Sequence, residues 1–273
     1  MTLDAPLNSR AILVACMPKS GSTFLSALIA SLPGFRREHV VPSYKRREQE
    51  LCNAKLQRAF EATHILRRAF DQGLLTETQR PRAFVFQNHV RHNHETQVLI
   101  DRYRIVPIVL VRNIFDVVVS LRDHLARESY FTPLAYVDEA MADWDDERMH
   151  AFIVDMAVPW YIHFYVSWAK AEHRHFVTYE ELTADPAETL RKALAFAKIP
   201  RTPEILAHAL DKVQGASTRK NVGQSGRGAV LSDDLKQRVR RYCSYYPDVD
   251  FEPIGIGRGD AHDGPGIAGW ANS

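Results

Sequence analysis

Between an apolar run and a helical pattern the chain carries Pro18-Lys19-Ser20-Gly21-Ser22-Thr23. These residue types suit an anion. Lys19 is a point charge, and Ser22 and Thr23 are hydroxyl donors that can also cap a helix. Gly21 lets backbone N–H groups approach a phosphate closely. The run before them, Ala11-Ile12-Leu13-Val14-Ala15-Cys16, has the length of a strand. After them Phe24, Leu25, Leu28, Ile29 and Leu32 recur three and four apart, the spacing of one helix face. Strand, small-residue loop and helix make an anion site, because the first helical turn presents N–H groups and the positive end of the helix dipole. The loop is not the nucleoside-triphosphatase motif G-x-x-x-x-G-K-[ST], since Lys19 precedes the loop's only glycine.

Two further reactive positions stand at the ends of apolar runs. Ala83-Phe84-Val85-Phe86 reads as a buried strand and is followed by a polar loop over 87–95 that holds His89, His92 and His94. Residues 105–111 are almost wholly apolar, as in parallel strands covered on both faces, and Arg112 closes them. Pro107 predicts that pairing begins near Ile108. Asn113 can cap a helix over 114–125.

The elements that must position these residues alternate. A short strand is expected over 35–41, a helix over 44–72 ended by Gly73, and a short helix over 95–102. Helices over 132–144 and 148–170 come next, then a strand over 175–179. Helices follow over 187–197, opened by Pro186, over 203–213 and over 232–246. This alternation predicts an α/β fold, a parallel β-sheet flanked by helices on both faces. Ligands of such sheets lie beyond the carboxyl ends of the strands. Lys19, His89 and Arg112 are therefore expected on one edge.

The chain has 273 residues, 45% of them hydrophobic, which suits one domain over 1–254. Residues 255–273 hold six of the 13 glycines and little apolar content, so a poorly ordered tail is expected. A net charge of +2 does not indicate a dedicated nucleic-acid binder, and no nucleic-acid partner is expected. Arg36, Arg37, Lys45, Arg46 and Arg47 make one basic region, readable as a solvated face or as a rim that attracts anions. Cys16, Cys52 and Cys243 lack metal-ligand spacing, which points to a reducing, cytoplasmic setting. Residues 1–10 contain no apolar signal core, and 151–169 are interrupted by Asp155, Pro159 and His163, so no membrane span is expected.

Pro18 to Thr23 resembles the 5′-phosphosulfate-binding loop of sulfotransferases that use 3′-phosphoadenosine 5′-phosphosulfate (PAPS), roughly P-K/R-S-G-T/S-T, at every position. Arg112-Asn113-Ile114-Phe115-Asp116-Val117-Val118-Val119-Ser120 is similar to the family's 3′-phosphate segment R-N/D-P-x-D-x-x-V-S, with Ile114 where proline is usual. Trp160-Tyr161-x-His163 and Tyr179-Glu180-Glu181-Leu182-x3-Pro186 match a third block, and Arg219-Lys220-Asn221-Val222-Gly223 loosely resembles R-K-G-x-x-G. The resemblance implies a P-loop-NTPase-like sulfotransferase fold. It also implies transfer of a sulfuryl group from PAPS to a hydroxyl or amine, leaving PAP and needing no metal. Pro18, Lys19, Ser20, Gly21, Ser22 and Thr23 would meet the 5′ side of the cofactor. Arg112 and Ser120 would meet the 3′-phosphate, with Ser120 roughly 10 Å down its helix at ~1.5 Å per residue. Tyr179, Arg219 and Lys220 complete the cofactor set.

An acceptor hydroxyl must lose its proton, so a general base is needed. His89 is the first candidate, where soluble family members have K-T-H and this chain has Gln87-Asn88-His89. Glu38 is the second, because carbohydrate sulfotransferases often use a glutamate soon after the first helix. The acceptor classes left open are small molecules, glycans and peptides, and a homo-oligomer is compatible. Two other functions fit the same residues, a nucleotide-dependent small-molecule kinase and a catalytically inactive PAP-binding module. The kinase lacks its G-K-[ST] and Mg²⁺-ligand pattern here.

Overall fold

The computed structural model of the chain describes residues 10–40, 50–76, 80, 83–127, 135–215 and 225–257. Its elements begin β1 (Arg10–Cys16), α1 (Ser22–Ser31), β2 (Phe35–Glu38), α2 (Asn53–Asp71), β3 (Ala83–Asn88), α3 (His94–Tyr103), β4 (Ile105–Val111) and α4 (Ile114–Arg127). They continue with α5 (Asp146–Phe152), α6 (Val158–Ala169), β5 (His175–Thr178), α7 (Tyr179–Ala184), α8 (Pro186–Phe196), α9 (Pro203–Gly215) and α10 (Asp233–Ser244). The chain divides into two compact units, residues 1–110 with 171–223 and residues 111–170 with 224–273.

The first unit is built on a five-stranded parallel sheet in the order β2-β3-β1-β4-β5. β1 lies at its centre because residues 11–16 are all apolar and all buried. Ile12, Val14 and Cys16 alternate onto one face, where they join Val85, Ile108 and Leu110 against Leu25, Leu28 and Ile29 of α1, Leu190 and Leu194 of α8, and Leu206 of α9. Phe84 belongs to the opposite face and packs edge-on against Phe60 of α2 at 4.9 Å, and Phe60 stacks on Tyr103 of α3 at 5.1 Å. Helices therefore cover both faces, as the alternation of elements predicts.

Three boundaries differ from the sequence expectation. β3 runs past Phe86, with Gln87 opposite Val14 and Asn88 opposite Ala15. Pairing of β4 with β1 begins at Ile105 opposite Ala11 and passes through Pro107 opposite Leu13. Successive N–H groups of a strand point to opposite neighbours, so the missing N–H removes at most one ladder bond and the register persists. Tyr179 starts α7 instead of ending β5. The Thr178 hydroxyl accepts from the Glu181 N–H at 3.1 Å and the Glu181 carboxylate accepts from the Thr178 N–H at 3.1 Å, a reciprocal cap that turns the chain into a helix.

In the second unit the helix expected over 132–144 is only a 3₁₀ turn, Glu139–Asp143, and 128–134 lie outside the described residues. The helix expected over 148–170 is broken by a π turn, Ile153–Ala157, between α5 and α6. Pro159 accounts for it. It has no N–H for the carbonyl of Asp155 four residues back, and its ring crowds that carbonyl, so the turn widens. The helix expected from 44 begins at Asn53, residues 41–49 lying outside the described set. Among the described residues no helix is long and apolar enough to cross a membrane.

Candidate active site

The loop after β1 is held open by its backbone. Lys19 and Gly21 both adopt left-handed conformations, with φ of 65° and 82°. For Lys19 this costs about 1–2 kcal/mol, and strain of that kind gathers at sites that use it. Gly21 is needed twice over. Its φ favours glycine, and a Cβ there would lie 3.0 Å from the Tyr179 ring at the start of α7. Tyr179 thus forms a wall of the loop. The Ser20 hydroxyl donates to the Met17 carbonyl at 2.6 Å, so this side chain maintains the loop's own shape. Ser22 and Thr23 open α1, Ser22 buried and Thr23 exposed. The loop thus combines a lysine, two hydroxyls and a helix N-terminus, a donor set matched to a phosphate.

His89 follows β3 and is buried. Its Nδ1 lies 2.8 Å from the carbonyl oxygen of Cys16, the residue that opens the loop. A carbonyl only accepts, so Nδ1 carries the proton and in the neutral ring Nε2 is the proton acceptor. The Cys16 thiol lies 3.4 Å from the same nitrogen. Asn88 stands opposite Ala15, which places His89 at the level of Cys16 on the sheet's carboxyl edge. Glu38 is placed differently. It pairs with Phe86, which pairs with Leu13, so it lies three residues below Cys16, roughly 10 Å at ~3.3 Å per residue. Its carboxylate forms an ion pair with Arg36, two residues further from that edge. Arg36 in turn donates to the Ala59 carbonyl at 2.6 Å on α2. Glu38 and Arg36 therefore join β2 to the α2 face. His92, grouped with His89 in the sequence, lies 2.8 Å through Nε2 from Gln97 Oε1.

The second unit holds the Arg112 segment. The Asn113 side chain caps α4, accepting from the Phe115 N–H at 3.0 Å. Arg112, Asp116 and Ser120 are all buried. Arg112 Nη2 lies 3.7 Å from the Asp116 carboxylate, which orients the guanidinium. That carboxylate also accepts from the Gly226 N–H at 2.9 Å and the Gly228 N–H at 2.7 Å. Gly228 must be glycine, because a Cβ would lie 2.3 Å from Phe115 Cβ. Asp116 thus anchors the stretch 226–228 to α4, a role that its spacing from Ser120 alone does not reveal. A buried charge is tolerable there because three donors compensate it. Arg219 and Lys220, expected to meet the cofactor, lie outside the described residues.

Asp123, one turn beyond Ser120, secures the same stretch. It accepts from Arg227 Nη2 at 2.5 Å and from Arg122 Nη1 at 2.8 Å. Burial pushes its carboxyl up, but the two arginines together outweigh burial and hold it below the usual value of 3.8. A depressed folded-state value means stability that is present above pH 3.8 and lost as the pH falls through the folded value. Asp123→Asn should therefore melt below the parent at about pH 7, and the gap should narrow at a pH below 3.8. Thermal melts at both pH values check this, and a gap that persists in acid would mean that the charge is not what stabilises this stretch.

A family model described as Sulfotransferase domain matches residues 9–227. No curated protein matches the chain. Among solved structures, mouse sulfotransferase SULT7A1 complexed with PAP is 16% identical with a TM-score of 0.60, covering 93% of this chain and 90% of its own. Retinol dehydratase in complex with androsterone and inactive cofactor PAP is 14% identical with a TM-score of 0.50, covering 87% and 80%. Sulfotransferase STF9 from Mycobacterium avium is 13% identical with a TM-score of 0.50, covering 91% and 79%. At these identities the likeness is one of fold.

Proposed function

Because the chain belongs to the sulfotransferase domain family, we propose that it moves a sulfuryl group from PAPS to a hydroxyl or amine of an acceptor, leaving PAP. One observation supports this reading most strongly. The residue that opens the anion loop, Cys16, also holds His89 by Nδ1, so that base and loop share one backbone anchor. The chemistry needs both. As the acceptor oxygen attacks sulfur, its proton passes to His89 Nε2. As the bond from sulfur to the bridging oxygen breaks, negative charge grows on the departing phosphate. Lys19 and the N–H groups at the start of α1 stabilise that charge.

The donor's remaining groups fall to other residues. The left-handed Gly21 against Tyr179 admits a phosphate to the backbone, and the donor set of the loop fits one. Arg112, oriented by Asp116, and Ser120 are assigned to the 3′-phosphate. The acceptor belongs among small molecules, glycans and peptides.

PAP should raise the melting temperature, because it binds only the folded chain. At about 100 times its Kd the gain is about 2.7 kcal/mol. ATP should stabilise less, since it lacks the 3′-phosphate. Equal stabilisation by the two would remove PAPS as the donor. Labelled PAPS offered with a panel of phenols, sugars and amines then identifies the acceptor. Phosphate transfer from ATP in its place would make the chain a kinase.

A further inference from the structure

Gln87 stands where the K-T-H pattern has its lysine, and its surroundings assign it a task. It lies on β3 with its side chain on the α1 face, two residues after Val85, which packs in the core there. Its amide touches two side chains. Arg37 Nη2 lies 3.2 Å from Gln87 Oε1, and Gln87 Nε2 lies 2.6 Å from Ser22 Oγ. These contacts fix one another. A guanidinium has no acceptor, so the amide atom facing Arg37 is the oxygen and the atom facing Ser22 is the nitrogen. The NH₂ group has no acceptor either, so Ser22 Oγ must accept from it. The Ser22 hydroxyl proton is then directed away from Gln87.

We infer that Gln87 is a positioning residue, which with Arg37 sets the Ser22 hydroxyl as a standing donor to the anion bound by the loop. The inference rests on the reading of that loop as the 5′-phosphate site. A serine hydroxyl is a rotor and can accept or donate in several directions. A donor already turned toward an anion needs no reorientation when the anion arrives, which is the advantage of a preorganised site. A lysine at position 87 would place charge at this point. The amide instead gives a neutral residue whose polarity is dictated from β2.

PAP binding measured by isothermal titration tests it, together with melting of the unliganded chain. Gln87→Glu keeps the side-chain shape and strengthens the contact with Arg37, so the unliganded melting temperature should not fall. A carboxylate only accepts, so Ser22 must donate to it, and PAP affinity should drop on the order of tenfold. Gln87→Met releases the hydroxyl to rotate and should cost only about threefold. In a Ser22→Ala background there is no hydroxyl to turn, and Gln87→Glu should cost much less than it does in the parent.

An equal loss in both backgrounds would mean that the carboxylate acts by charge alone, and that overturns the inference. So would a Gln87→Glu chain that binds PAP like the parent, or one whose unliganded fold is destabilised enough to explain its loss. A parent chain that binds no PAP would remove the reading of the loop, and this inference with it.

Discussion

His89→Ala should lose turnover on the order of 10²- to 10⁴-fold, the range of a single general base, while PAP affinity stays nearly that of the parent. The reason lies in the tautomer. Nδ1 is held by the Cys16 carbonyl at 2.8 Å, which leaves Nε2 as the basic nitrogen at the level where the anion loop begins. Removing the ring removes the proton acceptor and none of the loop donors, so binding and turnover should separate. Glu38→Gln should be mild in turnover. Its carboxylate pairs with Arg36 and lies well below the sheet edge, so its loss should appear in the melting temperature. Steady-state rates and PAP titrations on both variants decide the matter. An active His89→Ala and a dead Glu38→Gln with intact PAP binding would transfer the role to Glu38 and move the chain toward carbohydrate acceptors.

Lys19→Ala should reduce turnover on the order of 10²-fold, as removal of one electrostatic donor does, and should weaken PAP binding less. The charge matters most when the bridging oxygen becomes negative, and that happens only as the transition state forms. Alanine is the suitable replacement because it retains a Cβ at a position with φ of 65°. Glycine would relax the backbone as well as remove the charge, and so confound the two effects. The comparison to make is kcat against the PAP dissociation constant. If kcat stays within about threefold of the parent while PAP binding drops by the full factor, Lys19 holds the nucleotide and takes no part in the chemical step.

The polar residues of β3 show where reading by pattern stops. Gln87 and Asn88 look like the start of a loop after an apolar run, since strands are recognised by burial and polar residues resist it. Both pair with β1 in the sheet, and the Gln87 side chain finds its partner across the chain in Ser22. That extension brings His89 to the level of Cys16. Pro107 illustrates the converse. A local rule forbids it in a central strand, yet the neighbouring ladder bonds keep it in register.

The sheet, its helices, the strand-loop-helix turn that carries Lys19 and the places of His89 and Arg112 just after their strands were all legible in the sequence. Each rests on chemistry within a few residues: apolar runs of strand length, spacings of three and four, and a glycine with a lysine between a strand and a helix. Tertiary structure alone decided which proton His89 carries, that Tyr179 closes on Gly21, that Glu38 is committed to Arg36, and that Asp116 anchors the stretch 226–228. Asp116 meets Gly226 and Gly228 across 110 and 112 positions of chain. A hydrogen bond depends on where two groups are brought in space, and sequence spacing specifies that only for neighbours along the chain.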